Sequence, residues 1–241
     1  MNEVINKSSM LYWFPLVTDL PIPQPKTETV LKKKDWWQYL DGKNFPEKDF
    51  YKLKSAIKRV GLPCFMRTDL SSGKHNYLDT CYIGTVTDLA SHLFRLIESN
   101  AIHDLWFGAI IIREFIYLDY KFRAFDGLPI AAERRYFIKD GKVVCHHPYW
   151  IEDAIKFYER TKDEEERTWK KWLKELNREI DLEIQILSNY SEKVASVLQG
   201  SWSIDFAKDS EGKWWLIDMA LAEQSWHPPC INKLTANPKG S

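Results

Sequence analysis

The chain has 241 residues, enough to bury one large core or two small ones, and 44% of them are hydrophobic. Lys and Arg number 34 and so do Asp and Glu, so the formal charge is zero, and no overall basic field favours a nucleic-acid partner. No apolar run is long enough to span a bilayer, and prolines and Asp19 break the stretch from Met10 before it could serve as a signal peptide.

The cysteines Cys64, Cys81, Cys145 and Cys230 are widely scattered, which suits reduced thiols in the cytoplasm rather than a disulfide framework. In chain order, residues 20–27 (LPIPQPKT) read as an extended proline-rich loop, and 28–42 as a short strand and a basic helix. Residues 46–60 carry Phe50, Leu53, Ile57 and Val60 at helical spacing, with a proline near the start. The strand-like run at 62–67 then opens into RTDLSSGKH, a small-residue loop with Arg67 at one end and Lys74 near the other. Small residues let backbone N–H groups approach phosphate oxygens, and the two cations supply charge; the spacing is not that of a Walker loop.

Residues 87–99 predict a helix with Leu89, Leu93, Leu96 and Ile97 on one face and Thr87 as its cap. An apolar run at 105–112 ends in Arg113-Glu114-Phe115-Ile116. The stretch 122–147 alternates like a sheet and holds Asp140-Gly141, a hairpin signal. Residues 151–181 are dense in charge and read as a solvated helix, 183–199 as a more apolar one. Strands at 201–207 and 214–221 complete an α+β pattern with antiparallel sheets.

That last hairpin concentrates chemistry. If Asp209 and Trp214 close the turn, Asp205 and Asp218 lie directly opposite each other on one face, and Ile204, Phe206, Trp215, Ile217 and Met219 collect on the other. Two facing carboxylates repel, and a hard divalent cation such as Mg²⁺, shared with substrate phosphates, removes the repulsion; a wet hairpin face is the alternative. Cys145-His146-His147 and His227-Pro228-Pro229-Cys230 raise a zinc reading, but adjacent histidines on a strand point to opposite faces. A two-residue turn at Asp140-Gly141 would set His146 across from Arg135.

The strings PCFMRTDLSSGKHNYLDTCY, IIREFI, GLPIAAERRYFIKDGKVVCHHPYW and WSIDFAKDSEGKWWLIDMA, in this order over about residues 10–230, resemble the ATP-grasp superfamily. They look like a phage-type branch and are similar to the cell-division-cycle ATP-grasp proteins that assist assembly of a translation initiation factor. The resemblance implies two antiparallel-sheet lobes, with helices, around an ATP–Mg²⁺ cleft. It divides the chain into an N-terminal segment at 1–60, a small lobe at 61–112 and a large lobe at 113–241. It implies that Arg67, Ser72 and Lys74 hold phosphates, that Glu114, Phe115 and Ile116 form an adenine hinge, and that Asp119 accepts from the ribose. It further implies that Glu133 and Arg135 form an E-x-R pair with the arginine on the transferring phosphoryl group, that Leu216 packs under the purine, and that Asp205 and Asp218 hold the metal. Ala220 stands where the usual last motif has Asn, so the number of metal ions is open. The function implied is an ADP-forming ligase joining a carboxylate to an amine, the acceptor a small molecule, peptide or protein. A nucleotide-binding assembly protein and a kinase are the alternatives.

Overall fold

The computed structural model of the chain describes residues 6–155 and 164–228. Helix α1 (Met10–Val17) precedes strand β1 (Thr27–Leu31), helix α2 (Glu47–Val60), strands β2 (Cys64–Thr68) and β3 (Tyr82–Ile83), helix α3 (Leu89–Ile102) and strand β4 (Ala109–Glu114). The first sheet has the order β1-β4-β2-β3. The isoleucine-rich β4 is central because it is buried on both faces. Helices α2 and α3 place Leu53, Ile57, Leu93 and Ile97 in one core with Met66, Ile110 and Ile112, the apolar stripes their helical spacing predicts.

Two local expectations differ. No α-helix forms over 28–42; a 3₁₀ turn at Trp37–Tyr39 stands there instead. Trp36 is fully buried and donates to Asp49 Oδ2 at 3.0 Å, so tertiary packing of the ring overrides the local pattern. Before α3 the cap is Thr85, reciprocally bonded with Asp88, so the chain enters the helix through an extra 3₁₀ turn.

The second half holds the hairpin β5 (Tyr120–Ala124) and β6 (Leu128–Ala131), strands β7 (Glu133–Lys139) and β8 (Lys142–Pro148), helices α4 (Glu164–Leu176) and α5 (Asp181–Ala195), and strands β9 (Ser201–Lys208) and β10 (Trp214–Leu221). The second sheet has the order β10-β9-β7-β8. One face packs Tyr136, Ile204, Phe206, Leu216 and Met219 with Leu187 of α5 and Trp13 of α1. The opposite face carries the polar residues described below. Residues 1–60 divide between the lobes: β1 completes the first sheet, while α1 shares its core with the second.

Two β-bulges decide what the second sheet presents. The β9–β10 ladder begins with Trp214 opposite Lys208 and Leu216 opposite Phe206, then shifts by one so that Asp218 faces Asp205. The β7–β8 ladder begins with Lys139 opposite Lys142 and Ile138 opposite Val143, then shifts so that Phe137 faces Cys145 and Arg135 faces His147. A one-residue slip exchanges the two faces of a strand, and a bulge is a slip confined to one point. Among the described residues no helix is long and apolar enough to cross a membrane.

Candidate functional site

A cleft of about 820 Å³ lies between the two sheets. From the first lobe, Arg67 at the end of β2 enters it, with Ser72 and Lys74 from the following loop. Asp69 shapes that loop: its Oδ1 accepts from the Gly108 and Ala109 amides at 2.8 and 2.9 Å, and its Oδ2 accepts from Ser9 Oγ at 2.5 Å. Thr68 Oγ1 accepts from the Ser71 amide at 2.8 Å, closing the turn. Gly73 adopts φ +66° and an added Cβ would meet Leu96 Cδ1 at 2.9 Å, so the position requires glycine. Lys74 begins a 3₁₀ helix rather than ending a free loop, and its ammonium lies 4.2 Å from the Tyr149 ring centre and 4.8 Å from that of Trp150. Burial alone would lower its pKa, but the charges of Tyr149 and Glu133 hold it above the ordinary lysine value.

The connection after β4 supplies Glu114, Phe115 and Ile116 to the cleft wall. The Glu114 carboxylate accepts from the Lys26 amide at 3.0 Å, and Phe115 packs edge-on to Tyr82 and Tyr117. The second sheet supplies Glu133, Asp205, Ile217 and Asp218. Arg67 Nη1 reaches across the cleft to Asp218 Oδ1 at 2.9 Å. Burial pushes the Asp218 pKa up, but the adjacent Arg67 charge and hydrogen bond win and hold it below the ordinary value. Arg135 grips Asp205 with two bonds of 2.7 Å each, Nε to Oδ1 and Nη2 to Oδ2. Glu133 is 5% exposed. Its Oε1 accepts from Trp150 Nε1 at 2.9 Å, while among the described residues its Oε2 has no partner. Burial raises its pKa, against the pull of Lys74.

Nine expected site residues therefore line the cleft, and three do not. Asp119 is half exposed and pairs with Lys121 at 3.3 Å. Arg135 stands behind Asp205 instead of facing the open volume. Leu216 is fully buried in the core, and Ile217, expected in the core, lines the cleft instead. The bulge is the reason: the hairpin turn is set one residue away from the assumed register, which would have left Asp218 on the core face, and the extra residue at Ile217 restores it. The bulge in β8 likewise puts His147, not His146, across from Arg135. His146 lies on the other face with Glu179, Nδ1 to Oε1 at 3.0 Å.

Arg113, Tyr77 and Pro129 also line the cleft, and nothing in strand periodicity distinguishes them from packing residues. The zinc motifs partly converge: Cys145 Sγ lies 2.9 Å from His227 Nε2, and Cys230 is outside the described residues. Among the described residues no three His, Cys, Asp or Glu side chains form a group able to hold a metal ion by themselves. A cation at Asp205 and Asp218 would therefore share its coordination with a ligand's own oxygens.

Comparison with known proteins places this architecture. A family model described as an ATP-grasp domain, the third family of its clade, matches residues 41–237. The structure of Cdc123 from Schizosaccharomyces pombe superposes with TM-score 0.57 at 12% identity, covering 89% of this chain and 83% of that one. N5-carboxyaminoimidazole synthetase from Staphylococcus aureus, complexed with ADP, gives TM-score 0.51 at 10% identity over 88% of this chain and 44% of that one. A 68-residue stretch is 35% identical to ribonucleoside-diphosphate reductase subunit alpha of Chlamydia pneumoniae, spanning 28% of this chain and only 6% of that protein.

Proposed function

Since the chain belongs to the ATP-grasp domain family, we propose that its cleft binds ATP with Mg²⁺ and uses it to join a carboxylate to an amine. The observation that carries the reading is the meeting of Asp205 and Asp218, paired across one ladder, with Arg67 and Lys74 from the facing lobe. A ligand that presents both a cation and a polyphosphate satisfies both sets at once. The partnerless Oε2 of buried Glu133 adds a third oxygen in need of a positive neighbour. Phe115 and Ile116, with Leu128 and Pro129 opposite, offer an apolar slot for a purine.

Asp205 and Asp218 are the residues that would hold Mg²⁺, which when bound neutralises phosphate oxygens. Arg67 and Lys74 bind and orient the triphosphate, and Arg135 positions Asp205. A substrate carboxylate oxygen bonds to the γ-phosphorus as the bond from that phosphorus to the β–γ bridging oxygen breaks, releasing ADP. The amine nitrogen then bonds to the acyl carbon, the C–O bond to phosphate breaks, and the nitrogen gives its proton to water. Positioning and fixed charge supply the rate, without a covalent enzyme intermediate.

A second reading, nucleotide binding without turnover, is favoured by the ion pairs that already occupy both aspartates and by Ala220 in the last motif. Incubation with ATP, Mg²⁺ and panels of acids and amines separates the readings. ADP released in step with a condensed product supports the ligase. A stable phosphorylated product supports a kinase, and tight ATP binding without ADP supports the binding role.

A further inference from the structure

Arg113, the fifth residue of β4, is 4% exposed and lines the cleft from the lobe junction. Its guanidinium is only partly engaged. Nη1 donates across the lobes to the carbonyl of Ile217, the bulged residue of β10. Nε donates to Thr27 Oγ1 of β1 at 3.3 Å. Nη2 is buried and has no partner among the described residues.

An unpaired donor on a buried cation costs roughly 1–3 kcal/mol, more than a neutral one. The surroundings make the deficit larger. Burial, then the neighbouring Arg67 charge, pulls the Arg113 pKa down, and Asp218 alone offsets them; yet an arginine remains protonated in proteins. Two guanidiniums therefore share one carboxylate, and that carboxylate is bonded to Arg67. The local charge balance asks for a second anion beside Nη2, on the cleft side.

We propose that Arg113 is a phosphate-binding residue, its Nη2 donating to a phosphate oxygen of the bound nucleotide while its Nη1 keeps hold of the Ile217 carbonyl. The inference rests on the nucleotide reading above and adds to it a physical link. The arginine that meets the phosphate also holds the bulge that turns Asp218 into the cleft, so phosphate and metal-side carboxylate are fixed by one planar group. Lysine cannot reproduce this, because it lacks the rigid fork that serves two acceptors at once.

The test is calorimetric titration of the full chain with MgATP, adenosine and inorganic tripolyphosphate, for wild type, Arg113→Met and Arg113→Lys. Loss of one charge-assisted bond should weaken MgATP and tripolyphosphate binding by roughly ten- to a hundred-fold in Arg113→Met. Adenosine affinity should change by less than about two-fold, since the base and ribose make no use of the guanidinium. Arg113→Lys, which keeps the charge and is the milder change to the fold, should show the same selective loss of the phosphate-bearing ligands at an unchanged melting temperature. Equal losses for adenosine and MgATP, or undiminished tripolyphosphate binding in both variants, would show that the residue is a strut alone and overturn the proposal. Wild type that binds adenosine but neither phosphate ligand would remove this inference with the phosphate reading; wild type that binds MgATP with the variants unaffected would remove only this inference.

Discussion

Asp218 shows how one side chain serves two ends. It is bonded to Arg67, and the same carboxylate is a candidate metal ligand. Burial works against its charge, but Arg67 holds its pKa below the ordinary 3.8. A depressed carboxylate stabilises the fold above its ordinary value, and that contribution drains away as pH falls through the depressed one. Asp218→Asn is therefore expected to cost about 1–2 kcal/mol near neutral pH, a modest figure because the side chain is a third exposed. The difference from wild type should vanish by about pH 3, read from denaturant melts across the pH series. The same variant should lose Mg²⁺-dependent ATP binding; calorimetry showing unchanged affinity would remove the aspartate pair from the site.

At the scale of elements, adjacent arginines on β7 have opposite jobs because a strand alternates its faces. Arg134 is 2% exposed and donates to the carbonyls of Leu176 at 3.0 Å and Arg178 at 2.8 Å. It thereby satisfies the C-terminal end of α4 and pins the α4–α5 connection to the sheet. Arg135 faces the other way and holds Asp205. Arg134→Ala should cost roughly 2–4 kcal/mol, since orphaned helix carbonyls and a lost buried cation are both penalised. Arg135→Ala leaves Asp205 unpaired, a deficit that a divalent cation can fill. Added Mg²⁺ should therefore restore stability to Arg135→Ala and not to Arg134→Ala in parallel thermal melts. Similar responses to Mg²⁺ would mean that Asp205 does not meet the cation.

Across the molecule as a whole, the lobes already touch through Arg67–Asp218 and Arg113–Ile217, and a ligand between them adds contacts that the unfolded chain cannot make. At a hundredfold excess over Kd, linkage adds about 2.7 kcal/mol. For a chain of 241 residues that corresponds to a melting point raised by roughly 5–10 °C. MgATP should produce this shift and ATP with a chelator a smaller one. An identical shift with and without chelator would leave the metal outside the site.

Local pattern was enough to read the helix faces of α2 and α3, the central β4, the small-residue loop from Arg67 to Lys74 and the final hairpin. These rest on periodicities and turn residues that act over a few positions. The order of the motifs also disclosed the family. Which face of the second sheet meets the cleft was settled by strand pairing in three dimensions. Two bulges, at Ile217 and near Val144, each move the pairing by one residue, and alternation along a strand says nothing about where such a residue is inserted. That is why Leu216 and Ile217 exchanged places with respect to expectation, and His146 with His147, while Asp218 still came to face Asp205. Arg113 likewise became distinct from a packing residue only when the opposite lobe brought a carbonyl to one of its nitrogens and left another unpaired.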